Sequence, residues 1–381
     1  MNIWEHPTII AAEALRHLED SLVIGPLCTR DTTSEFTNTA NGWKVGDAVP
    51  FRTNGEFVVK EFVTEVEPQP ITGSSRTMLI EKHLDVSVEF TAKEEALDLD
   101  DLAEQVLAPA TYKLAEYVDS YLGSKILQGA GLFVSNALFT TAGDVAQARK
   151  NAILQQLNKD RFCLVDSDTE AMLLGQDWFT GATNRGAAGE RTLNDADMGH
   201  TMGMDFKSSV AFPTNTMAHT AGTGTAATDN VTVPNSNIPN TRVLYCTALS
   251  AAINLGDRMF VAGLKRPLIA AATASAGATQ ILLVDPIVEI IADASAITVI
   301  GAGLDLTYHG AIFDDRALAS AFPALDLPQD KVSASASSNG ISIRIVKGYD
   351  QKFKKTMLSL DLLVGAFMLD PRRTTLLAEG I

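Results

Sequence analysis

Residues 94–128 read EEALDLDDLAEQVLAPATYKLAEYVDSYLGSKILQ. The spacing predicts one long helix over 94–128. Asp98, Asp100 and Asp101 supply capping oxygens and place negative charge where a helix N-terminus is partially positive. Apolar side chains recur at Leu102, Val106, Ala110, Leu114, Tyr117 and Tyr121, and Leu107, Val118 and Leu122 widen the stripe, so one face is held toward a partner. Pro109 lies inside the pattern and predicts a bend, because it removes a backbone donor while the stripe resumes beyond it. Gly123, Gly129 and Gly131 mark the far end. At ~1.5 Å per residue, about 30 helical residues would span ~45 Å, long for a globular domain.

Residues 42–92, just upstream, read as β. A segment over 45–51 that contains a Gly-Asp turn and a Glu-rich segment with Phe57, Val59, Phe62 and Val66 precede a break at Pro68, Pro70 and 73–75. Met78, Ile80, Leu84, Val86, Val88 and Phe90 then alternate with polar residues as in a half-buried strand. The segment predicts a long hairpin feeding the helix. Such a hairpin is marginal alone and needs a surface to lie on. Further upstream, Ile9, Ala12, Leu15, Leu18 and Leu22 predict an amphipathic helix over 9–22. Residues 28–41 form a polar arm that cannot bury a core of its own and is expected to lie along other parts of the chain or another subunit.

Beyond the long helix, residues 144–218 read as mixed α/β, with helices over 144–157 and 168–174, strands over 162–165 and 204–212, and a Gly/Asn/Arg-rich loop over 180–191. Residues 219–303 change composition. Ala, Thr, Gly and Asn dominate, and short β-type runs at 231–233, 243–247, 259–262, 281–284, 288–291 and 297–300 predict an inserted all-β module. A short helix over 314–321, capped by Asp314 and Asp315, and strands over 341–346 and 356–364 complete the reading, before a Pro-Arg-Arg ending.

The chain has 381 residues, 46% hydrophobic and 20% charged, enough for two or three domains with a sizeable core. A net charge of −16 argues against a chain whose main role is gripping nucleic acid, which needs clustered Lys and Arg. The three cysteines, Cys28, Cys163 and Cys246, are far apart and read as reduced, buried thiols. The apolar run over 281–300 is interrupted by Asp285, Pro286, Glu289 and Asp293 and is too polar to span a bilayer.

No motif assembles a catalytic or metal site. Gly301-Ala-Gly303 after a strand has the start of a dinucleotide fingerprint, but Leu306 stands at the third glycine position and no helix is expected to follow. Gly129-Ala-Gly131 and Gly222-Thr-Gly224 lack the Gly-Lys-Ser/Thr of a phosphate loop. The six histidines are scattered, and His83 and His309 read as packing residues in or beside strands. No catalytic residue, cofactor or metal is therefore assigned. One contrast in charge stands out. Residues 93–116 hold seven acids against two bases, whereas 344–373 hold seven bases, including Lys354 and Lys355, against three acids. Solvated faces explain it simply, since exposed pairs contribute little. Complementary surfaces steering subunit docking are the alternative, with Lys354 and Lys355 as assembly candidates beside Pro109.

Several blocks together resemble a known family. The run Glu81-Lys-His83-Leu-Asp85-Val-Ser-Val-Glu89-Phe90-Thr91-Ala-Lys93-Glu94, then Leu99-Asp-Asp-Leu102, Val106-Leu-Ala-Pro109-Ala110, Leu114-Ala and Val118-Asp119, resembles the strand and spine helix of tailed-phage major capsid proteins. Gly256-Asp257-Arg258-Met259-Phe260-Val261-Ala262-Gly263-Leu264 is similar to a signature of the subgroup carrying an inserted β domain. Leu306-Thr-Tyr308-His309, Ile341-Ser-Ile343-Arg344-Ile345-Val346, Tyr349-Asp350 and Leu360-Asp361-Leu362-Leu363-Val364-Gly365 resemble its C-terminal third, and the likeness covers most of 42–375.

The resemblance implies an α+β, Hong Kong 97-type capsid fold. Its expected parts are an N-terminal arm (1–41), an extended hairpin loop (42–93), a peripheral domain with the spine helix (94–143), an axial domain in two parts (144–218 and 304–340), an inserted β domain (219–303) and C-terminal strands (341–381). It implies a coat protein that self-assembles into hexamers and pentamers of an icosahedral shell around double-stranded DNA, in a virion assembled in bacterial cytoplasm. A scaffolding protein and a portal are expected partners, and a decoration protein is a further one. The separate scaffold is expected because no long, removable helical segment precedes residue 42. An encapsulin-type compartment shell shares the fold and is the alternative. An oxidoreductase resting on Gly301 and Gly303 is the enzyme-class rival.

Overall fold

The computed structural model describes residues 7–30, 47–52, 75–91, 106–135, 139–154, 157, 160–181, 186–213, 216–218, 223–225, 241–262, 264, 267–284, 287, 291, 294–299, 305–328, 332–350 and 355–380. In chain order its elements are α1 (Pro7–Ser21), β1 (Ala48–Arg52), β2 (Ser75–Leu79), β3 (Lys82–Thr91), α2 (Ala108–Gly129), β4 (Leu132–Ser135), α3 (Ala142–Leu154), β5 (Arg161–Val165), α4 (Ser167–Leu174), α5 (Asp177–Thr180) and α6 (Ala187–Asp195). There follow β6 (His200–Thr201), β7 (Met204–Ser208), β8 (Thr216–Ala218), β9 (Thr223–Thr225), β10 (Val243–Tyr245), β11 (Arg258–Val261), β12 (Leu268–Ile269), β13 (Gln280–Leu282) and β14 (Ala296–Val299). The last are β15 (Asp305–Asp314), β16 (Leu318–Ala321), β17 (Val332–Ser338), β18 (Ile341–Asp350), β19 (Lys355–Met368) and β20 (Thr374–Gly380). The chain divides into two compact units, and the division falls inside α2, between Val118 and Asp119.

The first unit comprises Met1–Leu22, Thr29–Val118 and Ala319–Leu369. Its sheet runs β16-β19-β18-β17, with β3 also paired to β19. β17 and β18 form a hairpin through Asn339 and Gly340, both at positive φ (48° and 79°), the conformation an Asn-Gly turn adopts to match strand twist. Ile341, Ile343 and Ile345 are buried at alternate positions of β18, as a sheet with one covered face requires. α1 packs on β17 and β18, burying Ile10, Ala11, Ala14, Leu15 and Leu18. Each fully buried Leu or Ile contributes about 1.5–3 kcal/mol. The face is turned from the expected one: Ile9 is half exposed and Ala12 exposed. β1 and β2 pair antiparallel, Ala48 opposite Leu79, and form the base of the expected hairpin. The expected continuous strand from Met78 to Phe90 is two strands, because β2 pairs with β1 whereas β3 pairs along β19 from Lys355 to Val364. Met78 and Ile80 close a small core with Ala319, Ala321 and Leu363. Gly365 lets β19 pass there, since a Cβ would sit 2.7 Å from the Leu79 carbonyl oxygen.

The second unit comprises Val23–Cys28, Asp119–Leu318 and Asp370–Ile381. Its main sheet runs β4-β20-β15-β5-β7-β6, with β8 also paired to β15. β5 and β7 are parallel and are joined through α4, α5 and α6, the crossover a parallel pair demands. Apolar side chains of α3, α4 and α5 meet the sheet in one core that includes Phe139, Val145, Ala148, Cys163, Leu173, Phe179, Phe206, Ile312 and Leu377. Residues 223–299 contain two antiparallel sheets, β10-β13 and β12-β11-β14-β9, around a core of their own with Leu244, Ile253, Met259, Val261, Ile281, Ile297 and Val299.

Four local expectations are corrected. Residues 314–321 are not a helix: β15 runs to Asp314 because it is paired to β5 and β20 to that point, and β16 follows a turn. Asp314 is buried beside Arg373 rather than capping a helix. The loop expected over 180–191 contains the start of α6, which opens after Gly186 (φ 60°) and stops at Ala196 in the left-handed region (φ 55°). β7 ends at Ser208, short of the expected 212. The C-terminal segment expected to follow Pro-Arg-Arg as an ending is the strand β20, seated between β15 and β4. The hairpin tip, residues 92–105, the 231–233 run, Gly301 and Gly303 lie outside the described residues.

Candidate functional site: buried polar anchors and an assembly surface

α2 is regular over 22 residues, about 33 Å at the standard rise. Val106 and Leu107 carry a wider π-type turn, and Pro109 stands in the first turn of the regular helix. A π-type turn is an identifiable cause of a bend. The bend expected at Pro109 thus coincides with a change from π-type to regular α-helix. Leu107, Ala110, Leu114, Val118, Leu122 and Ile126 are buried, while Tyr112 and Tyr117 are about half exposed, so Tyr117 leaves the expected stripe.

Asp119 is the one carboxylate in that buried row. Its Oδ2 accepts from the Val23 amide at 2.8 Å, and its Oδ1 accepts from Ile24 and Gly25 at 3.0 and 3.2 Å. Burial pushes the carboxyl above its ordinary range, and the three amides pull it partly back. An acid three residues before Leu122 and four after Ala115, on the apolar face, is a sequence sign of a buried anchor.

At the far end of α2, fully buried Arg258 of β11 donates from Nε to the Ala130 carbonyl and from Nη2 to the Leu127 carbonyl, at 2.5 and 2.6 Å. These are C-terminal carbonyls of a helix, which lack intrahelical partners and carry partial negative charge. The guanidinium also lies 5.6 Å from the centre of the Tyr308 ring and donates to its hydroxyl at 3.4 Å. Burial lowers the Arg258 pKa and raises that of Tyr308.

A third anchor joins Asp166, His309 and Glu379. Asp166 Oδ1 caps α4 by accepting from the Thr169 amide at 2.9 Å, and Oδ2 lies 2.8 Å from His309 Nδ1. His309 Nε2 faces Glu379 Oε2 at 3.6 Å. Asp166, Asp168 and His309 bring metal-ligating atoms within 4.8 Å of one another. Both Asp166 oxygens are already engaged, and the positive end of α4 disfavours a cation, so the cluster acts as a cap that pins β15 to β5. In the first unit, Arg344 grips Asp361 Oδ2 through Nε and Nη2, at 2.9 and 2.6 Å. Beside it, burial raises the Asp85 carboxyl, but the Ser359 and Ser87 hydroxyls outweigh it and hold the group below its ordinary range.

Two of the three candidates from sequence, Pro109 and Lys355, fall among the described residues. Lys354 lies outside the described residues. Lys355 pairs with Glu89 across the β3–β19 ladder at 2.6 Å, an exposed bridge of small energetic weight. On the second unit, Ala146, Arg149, Lys150 and Ile153 of α3, with Met202 of the β6–β7 turn, line an open groove of about 300 Å³. Among the described residues no helix is long and apolar enough to cross a membrane.

Comparison with solved structures places this architecture. A structure from Mycobacterium phage Che8 aligns over 93% of this chain and 90% of its own, with 12% sequence identity and a TM-score of 0.50. The chain has an α+β, Hong Kong 97-type capsid fold. The capsid structure of the cyanophage P-SCSP1u matches 89% of the chain and 85% of its own at 12% identity and a TM-score of 0.48. The mature capsid of bacteriophage PhiM1 matches 90% and 86% at 12% identity and 0.44. No protein-family model and no curated protein matches the sequence.

Proposed function

We propose that the chain is a major capsid protein that assembles into hexamers and pentamers of an icosahedral shell enclosing phage double-stranded DNA. The observation that carries this reading is the fold, which follows the Che8 structure over 93% of the chain. Two features support it. The antiparallel β1–β2 pair fits the base of the expected extended loop, an element that needs a surface to lie on. The described clusters of charge are engaged in capping and tying backbone rather than converging on a cleft. The role is structural, not catalytic. A net charge of −16 keeps the shell wall from adhering to the genome, whose phosphates are balanced by small cations.

Scaffold and portal are the proposed assembly partners, a decoration protein a further one, and the virion the location. Pro109 is the proposed bend of the spine helix, and Lys354 and Lys355 are the proposed carriers of docking charge. Electron microscopy of the expressed protein, alone and with co-expressed scaffold, tests the reading. Closed shells are expected; soluble monomers under every condition would overturn it. Shells packed with a cellular enzyme in place of DNA would favour the compartment alternative.

A further inference from the structure

We propose that capsomer rings close by seating Leu193 of one copy in the α3 groove of the next. The inference rests on the capsid reading above. A rotational ring joins two different patches of the same subunit, so each subunit must carry both halves of the contact. The second unit carries two patches that fit this requirement.

The first is the groove. Ala146, Arg149, Lys150 and Ile153 recur at three- and four-residue steps on α3, on the side opposite the core residues Val145, Ala148 and Ala152. Ile153 is 48% exposed and forms an apolar floor with Ala146 and Met202. Arg149 and Lys150 stand at its rim, and among the described residues neither has an ion-pair partner.

The second is a knob. Leu193 on α6 is 70% exposed. Glu190 lies three residues before it on the same face, and the exposed Asp195 and Asp197 follow at the C-terminal end of α6, where the helix dipole adds negative potential. Arg191 lies two residues from Leu193 and points to another side of the helix. The knob is apolar with an acidic surround, and the groove is apolar with a basic rim. A copy of this chain supplies the knob's leucine to the floor and its carboxylates to Arg149 and Lys150, the arrangement of an interface whose centre is apolar and whose rim steers docking.

The test is shell assembly by the full chain with its scaffold, read by light scattering and electron microscopy. Leu193→Asp, at an exposed position, keeps the subunit folded by circular dichroism and slows assembly by about tenfold or more, since one lost contact is repeated around every ring. Arg149→Glu with Lys150→Glu has the same effect, Glu190→Lys a smaller one, and the combination of both reversals recovers assembly toward the parent rate. Parent-like shells from Leu193→Asp and from the double reversal would overturn this contact while leaving the capsid reading intact. Failure of the parent chain to form any particle would instead remove the capsid reading, and this inference with it. A recovery absent from the combined reversal would show that the two patches do not meet.

Discussion

Arg258 holds Leu127. The Nη2 of an arginine in the β-rich segment donates at 2.6 Å to a carbonyl in the last turn of α2, and its Nε serves Ala130. A planar, permanently charged fork is needed to reach both carbonyls from a fully buried position. Arg258→Met fills the volume but leaves two helix-end carbonyls without a donor, each costing about 1–3 kcal/mol. The second unit is expected to lose roughly 3 kcal/mol of stability. Arg258→Lys should recover little of it, because an ammonium offers no fork. Urea denaturation followed by tryptophan fluorescence measures both, and a lysine variant as stable as the parent would show that charge alone matters.

Asp119 supports a prediction with a defined pH sign. Asp119→Ala strands three amides at Val23, Ile24 and Gly25, with an expected cost of about 3 kcal/mol. Hydrogen exchange at those amides should accelerate selectively. Burial holds the folded carboxyl above its ordinary value of 3.8. In the window just above 3.8 the folded chain therefore binds more protons than the unfolded one, and stability falls as pH rises through it. The margin of the parent over Asp119→Asn should be largest below that value and shrink toward neutrality. A margin that grows with pH would mean that the three amides outweigh burial.

How far these anchors were legible follows from how local their signals are. The α1, α3 and α4 helices, the strands β5 and β18, and the β segment over 223–299 carry period and composition that read directly. Their exact faces do not, and α1 is turned by one residue because Ile10, not Ile9, meets the sheet. The Asn339-Gly340 dipeptide is a local signal for the hairpin that makes β17, although the Ser-Ala alternation of that strand has little β character. The stretch after Asp314 favours helix in isolation, and pairing of β16 with β19 overrides that preference. β20 was missed for the same reason: its partners β4 and β15 are remote in sequence. Arg258 and Asp119 stood in blocks with a family likeness, but only the fold shows what each holds, the end of α2 for Arg258 and the Val23–Gly25 amides for Asp119. The α3 groove and Leu193 have no signature at all, since exposure of an apolar residue is set by what the fold leaves uncovered.

Gly310 offers a steric test of the main sheet. A Cβ there would lie 2.3 Å from the Leu164 carbonyl oxygen, at the point where the β15–β20 register shifts. The obstacle is backbone in a paired strand, so it cannot move aside cheaply. Gly310→Ala should cost roughly 3 kcal/mol or more, at or beyond the usual range for overpacking. Gly143→Ala, near the start of α3 with its closest neighbour at 3.4 Å, is the matched control. It should be neutral or gain up to about 1 kcal/mol from helix propensity. Equal losses in the two variants by thermal unfolding would contradict the account of Gly310.

Pro109 separates folding from assembly. Proline carries no amide hydrogen, so Pro109→Ala removes no hydrogen bond. Subunit stability should change by less than about 1 kcal/mol, the size of first-turn and unfolded-state effects. The lost element is the constraint that starts regular α-helix directly after the π-type turn at Val106 and Leu107. With alanine the turn is free to convert to α-helix, which straightens the approach to α2 and moves whatever precedes it relative to the shell wall. Shell diameter or the fraction of aberrant particles should therefore change in electron micrographs, while urea midpoints do not. Parent-like shells would remove Pro109 from the assembly machinery, and a large loss of subunit stability would mean that the proline supports packing instead.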